Sequence, residues 1–338
     1  MKNWKFLDVC AGIGGLSRPL HIAGAECVLM IERDKFARKT YDANYGTLPF
    51  TQDVTDIDLS FVPDHDILLA GFPCQPFSSS GLQLGFLDTR GTVFFDIMRI
   101  LKARQPKLVL MENVRNILHH DKGNTFRVIT QTMIDAGYDF QWREVNAAAF
   151  VPQQRRRIFM VGQLHAKCAT LANINFFPVP PPPYGPAIGS ILHGDETQEH
   201  PLDGDRFYSH RFAAVNSKYT LSPRLHAWLL AHKAKQKERG GMESVNFINP
   251  SDLSATLTAR YYKDGKEIIL HPHNRGRAQS NSPRKLTPRE CARLMGFPES
   301  FILPSHVSDT QLYKQLGNSV VPQCAAVFLD GLLAHHNP

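Results

Sequence analysis

Residues 68 to 81 read LLAGFPCQPFSSSG, an apolar run that passes straight into a loop where Cys74 stands between a proline and a glutamine. A structural cysteine is usually buried and inert, whereas a thiol at the mouth of a strand, in a loop rich in serine and glycine, is placed to react. The run LVLMEN delivers Glu112 to the end of a second apolar stretch, where a carboxyl group is costly unless it is hydrogen-bonded or used. A thiol nucleophile beside a carboxyl that can hold a proton suits attack on an electron-poor ring, with the acid relieving charge on a ring nitrogen. In PQQRRRIFMVG, Arg155 and Arg157 alternate on an expected incoming strand and face the same cleft, with Arg156 pointing away.

These residues need rigid elements to hold them, and the first half of the chain has the pattern of such elements. WKFLDVC, ECVLMIE, DILLAGF, KLVLMEN and RIFMVGQL are short apolar runs, several near-continuous, as expected of strands covered on both faces. Helical patterns such as DKFARKTYDANYG and TVFFDIMRILKARQ lie between them. The alternation predicts an α/β fold with a doubly wound, mostly parallel sheet. In such a sheet, ligands sit at the carboxyl ends of the strands, where AGIGG, Glu32, Cys74 and Glu112 all fall.

The stretch FLDVCAGIGGL is a strand followed by a glycine turn and a helix start. A dinucleotide fingerprint would place a third glycine at position 17, but Ser17 stands there, leaving Gly12, Gly14 and Gly15. That counts against a nicotinamide dehydrogenase. Glu32 closes the second strand seventeen residues past Gly15, where a carboxylate can take both hydroxyls of a ribose. Asp53, in TQDVTDID, follows the third segment and is placed to accept from an adenine amino group. Together these residues point to an adenosine-containing cofactor.

The net charge of +7 is regional: residues 206 to 277 hold thirteen Lys/Arg against five Asp/Glu, a surplus of +8, and the remainder sums to −1. Such a surplus suits a polyanionic partner, because lysine and arginine release counterions from phosphates. The competing reading, a solvated helix face, applies best to HKAKQKERGG. FFPVPPPPYGP, at 176–186, cannot continue a helix or a buried strand and reads as a linker. Beyond it lies a second, smaller and irregular domain with one helix, PRLHAWLLAHKAKQKER, and an expected hairpin, ATLTARYYKDGKEIIL, turning at KDG. TPRECARLMGF resumes helical patterning, with Thr287 as N-cap and Pro288 at the first helical position. PQCAAVFLDGLLAHH is an apolar helix expected to pack back on the first domain. Six cysteines without a CxxC pair argue against a zinc ribbon or a disulfide scaffold, so no metal is expected. Asp8 interrupts the N-terminal apolar residues before a signal-like run forms. No stretch of about 20 apolar residues stands out as a membrane span, and a reducing cytoplasm is the expected setting.

FLDVCAGIGGL, GFPCQPFSSSG, MENV, PQQRRRIF, RKLTPRECARLMGFP and QLGNSVV, in this order, resemble the motif set of the cytosine-5 DNA methyltransferases and span residues 6 to 321. The resemblance implies S-adenosyl-L-methionine as methyl donor and double-stranded DNA as substrate, with the target cytosine flipped out of the stack. By position, Cys74 would add to carbon 6 of the ring and Glu112 would hold and protonate nitrogen 3, while Arg155 and Arg157 orient the base and support Glu112. Gly12, Ile13, Gly15, Glu32, Asp53, Pro73, Val93 and Asn318 would line the cofactor pocket. Gln75 and Ser80 would approach DNA and help fill the vacated stack, and Thr256, of a Thr-Leu pair, and Arg260 would contact DNA from the recognition region. Cys10 stands where the family commonly has an aromatic ring against the adenine, and it reads as a core substitution.

The same resemblance implies a catalytic and cofactor-binding domain over 1–175 plus 318–338, a target-recognition domain over 178–285, and a hinge over 286–317. It implies a monomeric bacterial enzyme, cytoplasmic and nucleoid-associated, acting on a short palindromic site. The enzyme would be either the modification half of a restriction pair, with its restriction endonuclease acting separately, or a solitary enzyme. A transfer-RNA cytosine-5 methyltransferase on the same scaffold is the alternative, although its shorter recognition region and different cysteine-containing signature are not found here. A silent DNA-binding regulator is disfavoured by the presence of both Cys74 and Glu112.

Overall fold

The computed structural model describes residues 3–51, 53–73, 93–165, 185–194, 201–209, 211–212, 214–238, 240, 245–264, 266–270 and 283–334. The chain divides into two compact units, one of Met1–Asn146, Arg156–Pro180 and Ser319–Pro338, the other of Ala147–Arg155 and Pro181–Asn318.

In the first unit, β1 (Lys5–Val9), β2 (Glu26–Ile31), β3 (Phe50–Thr51), β4 (Ile67–Ala70), β5 (Leu108–Val114), β6 (Tyr138–Asn146) and β7 (Arg156–Leu164) make one sheet. Their spatial order is β3-β2-β1-β4-β5-β7-β6. The first five run parallel, and β7 runs antiparallel to both β5 and β6. This is the doubly wound, mostly parallel α/β sheet that the apolar runs predict. All four residues of β4 and the first six of β5 are buried, as strands covered on both faces must be. The helices α1 (Arg18–Ile22), α2 (Lys35–Tyr45), α3 (Val93–Arg104) and α4 (Asn124–Asp135) punctuate the strands. Asp34 caps α2 by accepting from the amides of Phe36 and Ala37, which satisfies donors that no helical carbonyl can reach. Ile97, Met98, Ile100 and Leu101 of α3 join Leu68, Val109 and Met111 of the sheet in the main core.

The second unit is less regular. It holds the small strands β8 (Tyr208–Ser209), β9 (Ala214–Val215), β10 (Asn246–Ile248), β11 (Glu267–Ile269) and β12 (Arg284–Lys285), with α5 (Pro223–Glu238), α6 (Tyr261–Asp264), α7 (Pro288–Leu294) and α8 (Asp309–Asn318). The expected hairpin is not formed: its first arm gives way to α6, and β11 pairs instead with β10 in parallel and with β12 antiparallel. The physical cause is Tyr261. Its buried hydroxyl donates to the carbonyl of Glu267 and accepts from the amide of Leu286, so tertiary bonds override the local turn signal at KDG. Thr287 and Glu290 form the reciprocal capping box of α7, with Pro288 at its start. Arg284 binds Glu290 through two buried bonds of 2.7 Å. Burial would raise the Glu290 carboxyl, but Arg284 and His193 hold it down at about 2.

The last helix, α9 (Pro322–Ala334), belongs to the first unit, where Phe328 stacks on Phe159 of β7 at 4.8 Å. The run Asp309–Leu333, which spans α8 and α9, has the length and apolar composition of a membrane span, yet 72% of its apolar window is buried within the protein. Burial of that extent is the behaviour of core helices.

Candidate active site

The glycine turn after β1 is shaped from behind by aromatic and hydroxyl side chains of the first unit. Gly14 has φ +79°, and a Cβ there would stand 2.4 Å from the ring of Tyr45. At Gly15 a Cβ would stand 2.4 Å from the Ser319 hydroxyl and from the Val320 carbonyl, so the chain that follows Asn318 packs against a position only glycine can fill. Ile13 is buried. On the other side, no atom of the described residues lies within 4 Å of the point where a Cβ on Gly12 would stand. The Glu32 carboxylate accepts from the amide of Gly12 at 2.7 Å and from that of Asp34 at 2.7 Å, tying the turns after β1 and β2 together. Burial raises the Glu32 carboxyl above its usual range, against the pull of those two amides. Asp53 accepts from the amide and hydroxyl of Thr55 and lies 3.6 Å from the Arg33 guanidinium. Val93 is the first residue of α3 and packs, half-buried, against the main core.

Cys10 is half-buried against that core with φ +55°. Burial, then Glu32, Asp8 and Asp53, push its thiol far above the ordinary cysteine range. It stays protonated and is not a nucleophile.

Behind the glycine turn lies a polar network that the sequence signalled only as an acid inside an apolar strand. Asp8 of β1 is 1% exposed. Tyr41 donates to its Oδ2 at 3.1 Å, His21 Nε2 lies 2.8 Å from the same hydroxyl, and His21 stacks on Tyr45 at 4.0 Å. Ser17 and Tyr45 both donate to the Gly14 carbonyl. The tyrosines recur four residues apart in TYDANYG, a spacing that puts both on one helix face. Burial lifts the Asp8 carboxyl from 3.8 to about 7, against the lowering pull of Ser17 and Tyr41. The folded chain therefore holds this proton more tightly than the unfolded chain, so the group's contribution is full below about pH 4 and is lost as pH rises toward 7. Asp8→Asn is expected to remove that slope. Urea unfolding of wild type and variant at pH 4 and pH 7 should show their stability difference changing by about 3 kcal/mol, with the wild type losing more. A pH-independent difference would contradict the assignment.

Glu112 lies on β5 opposite Phe159, and Arg157 lies on β7 opposite Val114. They are thus diagonal neighbours on one face of an antiparallel pair. Arg157 Nε donates to Glu112 Oε1 at 3.0 Å, with side chains 16% and 11% exposed. Next to Glu112, the buried Asn113 donates from Nδ2 to the carbonyl of Phe72 at 3.3 Å, pinning the end of the segment that follows β4. Sequence reasoning passed over Asn113, whose signal was a second polar residue at the end of an apolar strand. The described segment ends at Pro73, and Cys74, Gln75 and Ser80 lie outside the described residues.

One residue before β7 begins at Arg156, burial already alternates: Arg156 is exposed, Arg157 half-buried and Arg155 buried. Arg155 belongs to the second unit, where it is 2% exposed and donates to the carbonyls of Leu257 and Gly317 at 2.9 and 3.1 Å. Leu257 in turn donates its amide to the buried Gln153 Oε1 at 2.8 Å, and the Thr256 hydroxyl donates to the Gln154 carbonyl at 2.6 Å. Arg260 is exposed just ahead of α6, and Asn318 ends α8. Among the described residues no group of three or more His, Cys, Asp or Glu is arranged to hold a metal ion.

The model of the family described as C-5 cytosine-specific DNA methylase matches residues 4–332. The sequence is 43% identical over 330 residues to the Type II methyltransferase M1.ScrFI of Lactococcus lactis subsp. cremoris, covering 96% of this chain and 77% of that protein. It is 41% identical over 329 residues to the Type II methyltransferase M.NlaX of Neisseria lactamica, covering 96% and 95%. Among solved structures, the Entamoeba histolytica methyltransferase EhMeth has a similar fold, with a TM-score of 0.73 over 100% of both chains at 19% identity.

Proposed function

Because the chain belongs to the C-5 cytosine-specific DNA methylases, we propose that it is a type II modification enzyme that methylates carbon 5 of a cytosine flipped from double-stranded DNA. Its site is a short palindrome, and its partner a separately acting endonuclease. When bound, S-adenosyl-L-methionine supplies an electrophilic methyl group on a positively charged sulfur. The first unit is suited to hold it: Gly12, Ile13 and Gly15 form the turn after β1, Glu32 presents a carboxylate beside it, and Asp53, Pro73 and Val93 follow the neighbouring strands. Asn318 leads into the segment packed on Gly15.

The observation that carries the reading is the Glu112–Arg157 pair at the carboxyl end of β5, beside the pinned segment that leads to Cys74. In the proposed reaction the Cys74 thiolate adds to carbon 6 of the cytosine, and Glu112 holds a proton at nitrogen 3 as negative charge gathers in the ring. Carbon 5, made electron-rich, would take the methyl group as its bond to the sulfonium sulfur breaks; the carbon-5 proton would pass to solvent, and the electron pair left behind would re-form the 5,6 double bond and expel the thiolate. Arg157 fixes the plane of the Glu112 carboxyl. Arg155, by anchoring the carbonyls of Leu257 and Gly317, holds the segment that feeds β7. Extruding the base costs about a few kcal/mol, which Gln75 and Ser80 offset by filling the gap and Thr256, Arg260 and the basic surplus of 206–277 offset by gripping DNA. The recognition domain is assigned to 178–285, the hinge to 286–317, and the chemistry to 1–175 with 318–338, in a cytoplasmic monomer.

The test is bisulfite sequencing of DNA from cells expressing the chain, with tritiated methyl donor assays on duplex DNA and on transfer RNA. Protected cytosines in one short context on both strands are the expected result. Label entering transfer RNA alone would replace this reading with the RNA enzyme.

A further inference from the structure

Helix α5 carries three large apolar side chains that are partly in solvent. Leu229 is its buried side chain, set in a small cluster with Leu221, Val245 and Ile268, and the His226 ring meets Phe247 edge-on at 5.6 Å. Leu225, Trp228 and Leu230 are 41%, 58% and 48% exposed. Trp228 stacks on His232 at 5.0 Å and 16°, which holds the indole while leaving much of it in solvent. At 100° per residue, Arg224, Trp228, Ala231 and Lys235 fall on one stripe opposite Leu229, about 16 Å from end to end. All four are exposed.

Of the three, Trp228 alone lies on that stripe, and an indole held in solvent between two basic side chains asks for a partner. The charge says which partner. The helix has Arg224, Lys233, Lys235 and Lys237 against the single acid Glu238, inside the segment that holds the whole positive surplus of the chain. Protein interfaces are depleted in lysine, whereas phosphates reward it through counterion release. We infer that the outer face of α5 grips the backbone of duplex DNA flanking the target site, with Arg224 and Lys235 on phosphates and Trp228 packed on sugar between them. The inference rests on the reading of the chain as a DNA methyltransferase and adds a sequence-independent clamp to it.

The test uses the full chain and fluorescein-labelled duplexes, with and without the target sequence found by bisulfite mapping, titrated by anisotropy from 50 to 300 mM salt. The double variant Arg224→Gln/Lys235→Gln is expected to lose affinity equally for both duplexes and to lower the slope of log Kd against log salt by about 2. Trp228→Ala should weaken both about tenfold. The KM for the methyl donor should not move, and thermal melting checks the fold. Unchanged slope and affinity would overturn the clamp, as would a loss confined to the target duplex. A change in sedimentation with unchanged DNA binding would assign the face to a second copy of the chain. A chain that binds duplex through α5 yet labels no DNA would sink the enzymatic reading and leave the clamp standing.

Discussion

Cys74→Ala is expected to abolish methyl transfer while leaving duplex binding intact. Carbon 5 of cytosine is a poor nucleophile until a neighbouring carbon is attacked, so removing the attacking thiol removes the route rather than slowing one step of it; the loss should be about 10⁴-fold or more. No described cysteine is positioned to stand in. Cys27, Cys291 and Cys324 are buried. Burial pushes the Cys27 thiol up to about 12, and burial with Glu290 alongside raises that of Cys291 well above its usual range. Cys10 is held protonated beside Glu32 and Asp8. Two measurements check this: incorporation of tritiated methyl into duplex DNA, and capture of the protein on a duplex with 5-fluorocytosine at the target, resolved on a denaturing gel. Wild type should be captured and the variant not. Label entering DNA with the alanine variant at more than a hundredth of the wild-type rate would mean that the reaction does not pass through this sulfur.

The strands that carry the site were readable because they are buried on both faces and so appear as near-continuous apolar runs: β1, β2, β4, β5 and β7 were each visible. β6 was not, since among the described strands it lies at the sheet edge beside β7, and its sequence YDFQWREVN mixes charge with aromatics. Glu112 and Arg157 could be matched because an antiparallel register converts sequence alternation into a shared face. Arg155 could not, because its partners, the carbonyls of Leu257 and Gly317, lie 102 and 162 residues away. The same limit hid the environment of Asp8. An acid in FLDV announces a cost, but only the folded chain shows Tyr41 answering it from α2. KDG failed as a turn signal for a related reason, since Tyr261 binds chain at both Glu267 and Leu286 and the strand after it takes a partner from β10.

Glu112→Gln should lower the methyl-transfer rate by about 10²- to 10⁴-fold, the range that a positioned proton donor or acceptor contributes. Glutamine has nearly the same shape, and its amide oxygen can still accept from Arg157 Nε, so the cost in stability should stay near about 1 kcal/mol, that of one weakened hydrogen bond. It cannot hold or release a proton, and it cannot meet the guanidinium with a full charge across the 3.0 Å contact. The loss should therefore fall on the chemical step. Single-turnover rates should drop, while the Kd for the methyl donor, measured calorimetrically, should stay within about twofold of wild type, because the glycine turn and Glu32 are untouched. Arg157→Lys separates positioning from proton holding. Lysine keeps a positive charge but replaces the planar guanidinium with a point donor, so this variant should retain far more activity than Glu112→Gln, with a shifted pH profile. Were Glu112→Gln to run within threefold of wild type, the carboxyl would be a structural partner of Arg157, and the proton at nitrogen 3 would have to come from elsewhere.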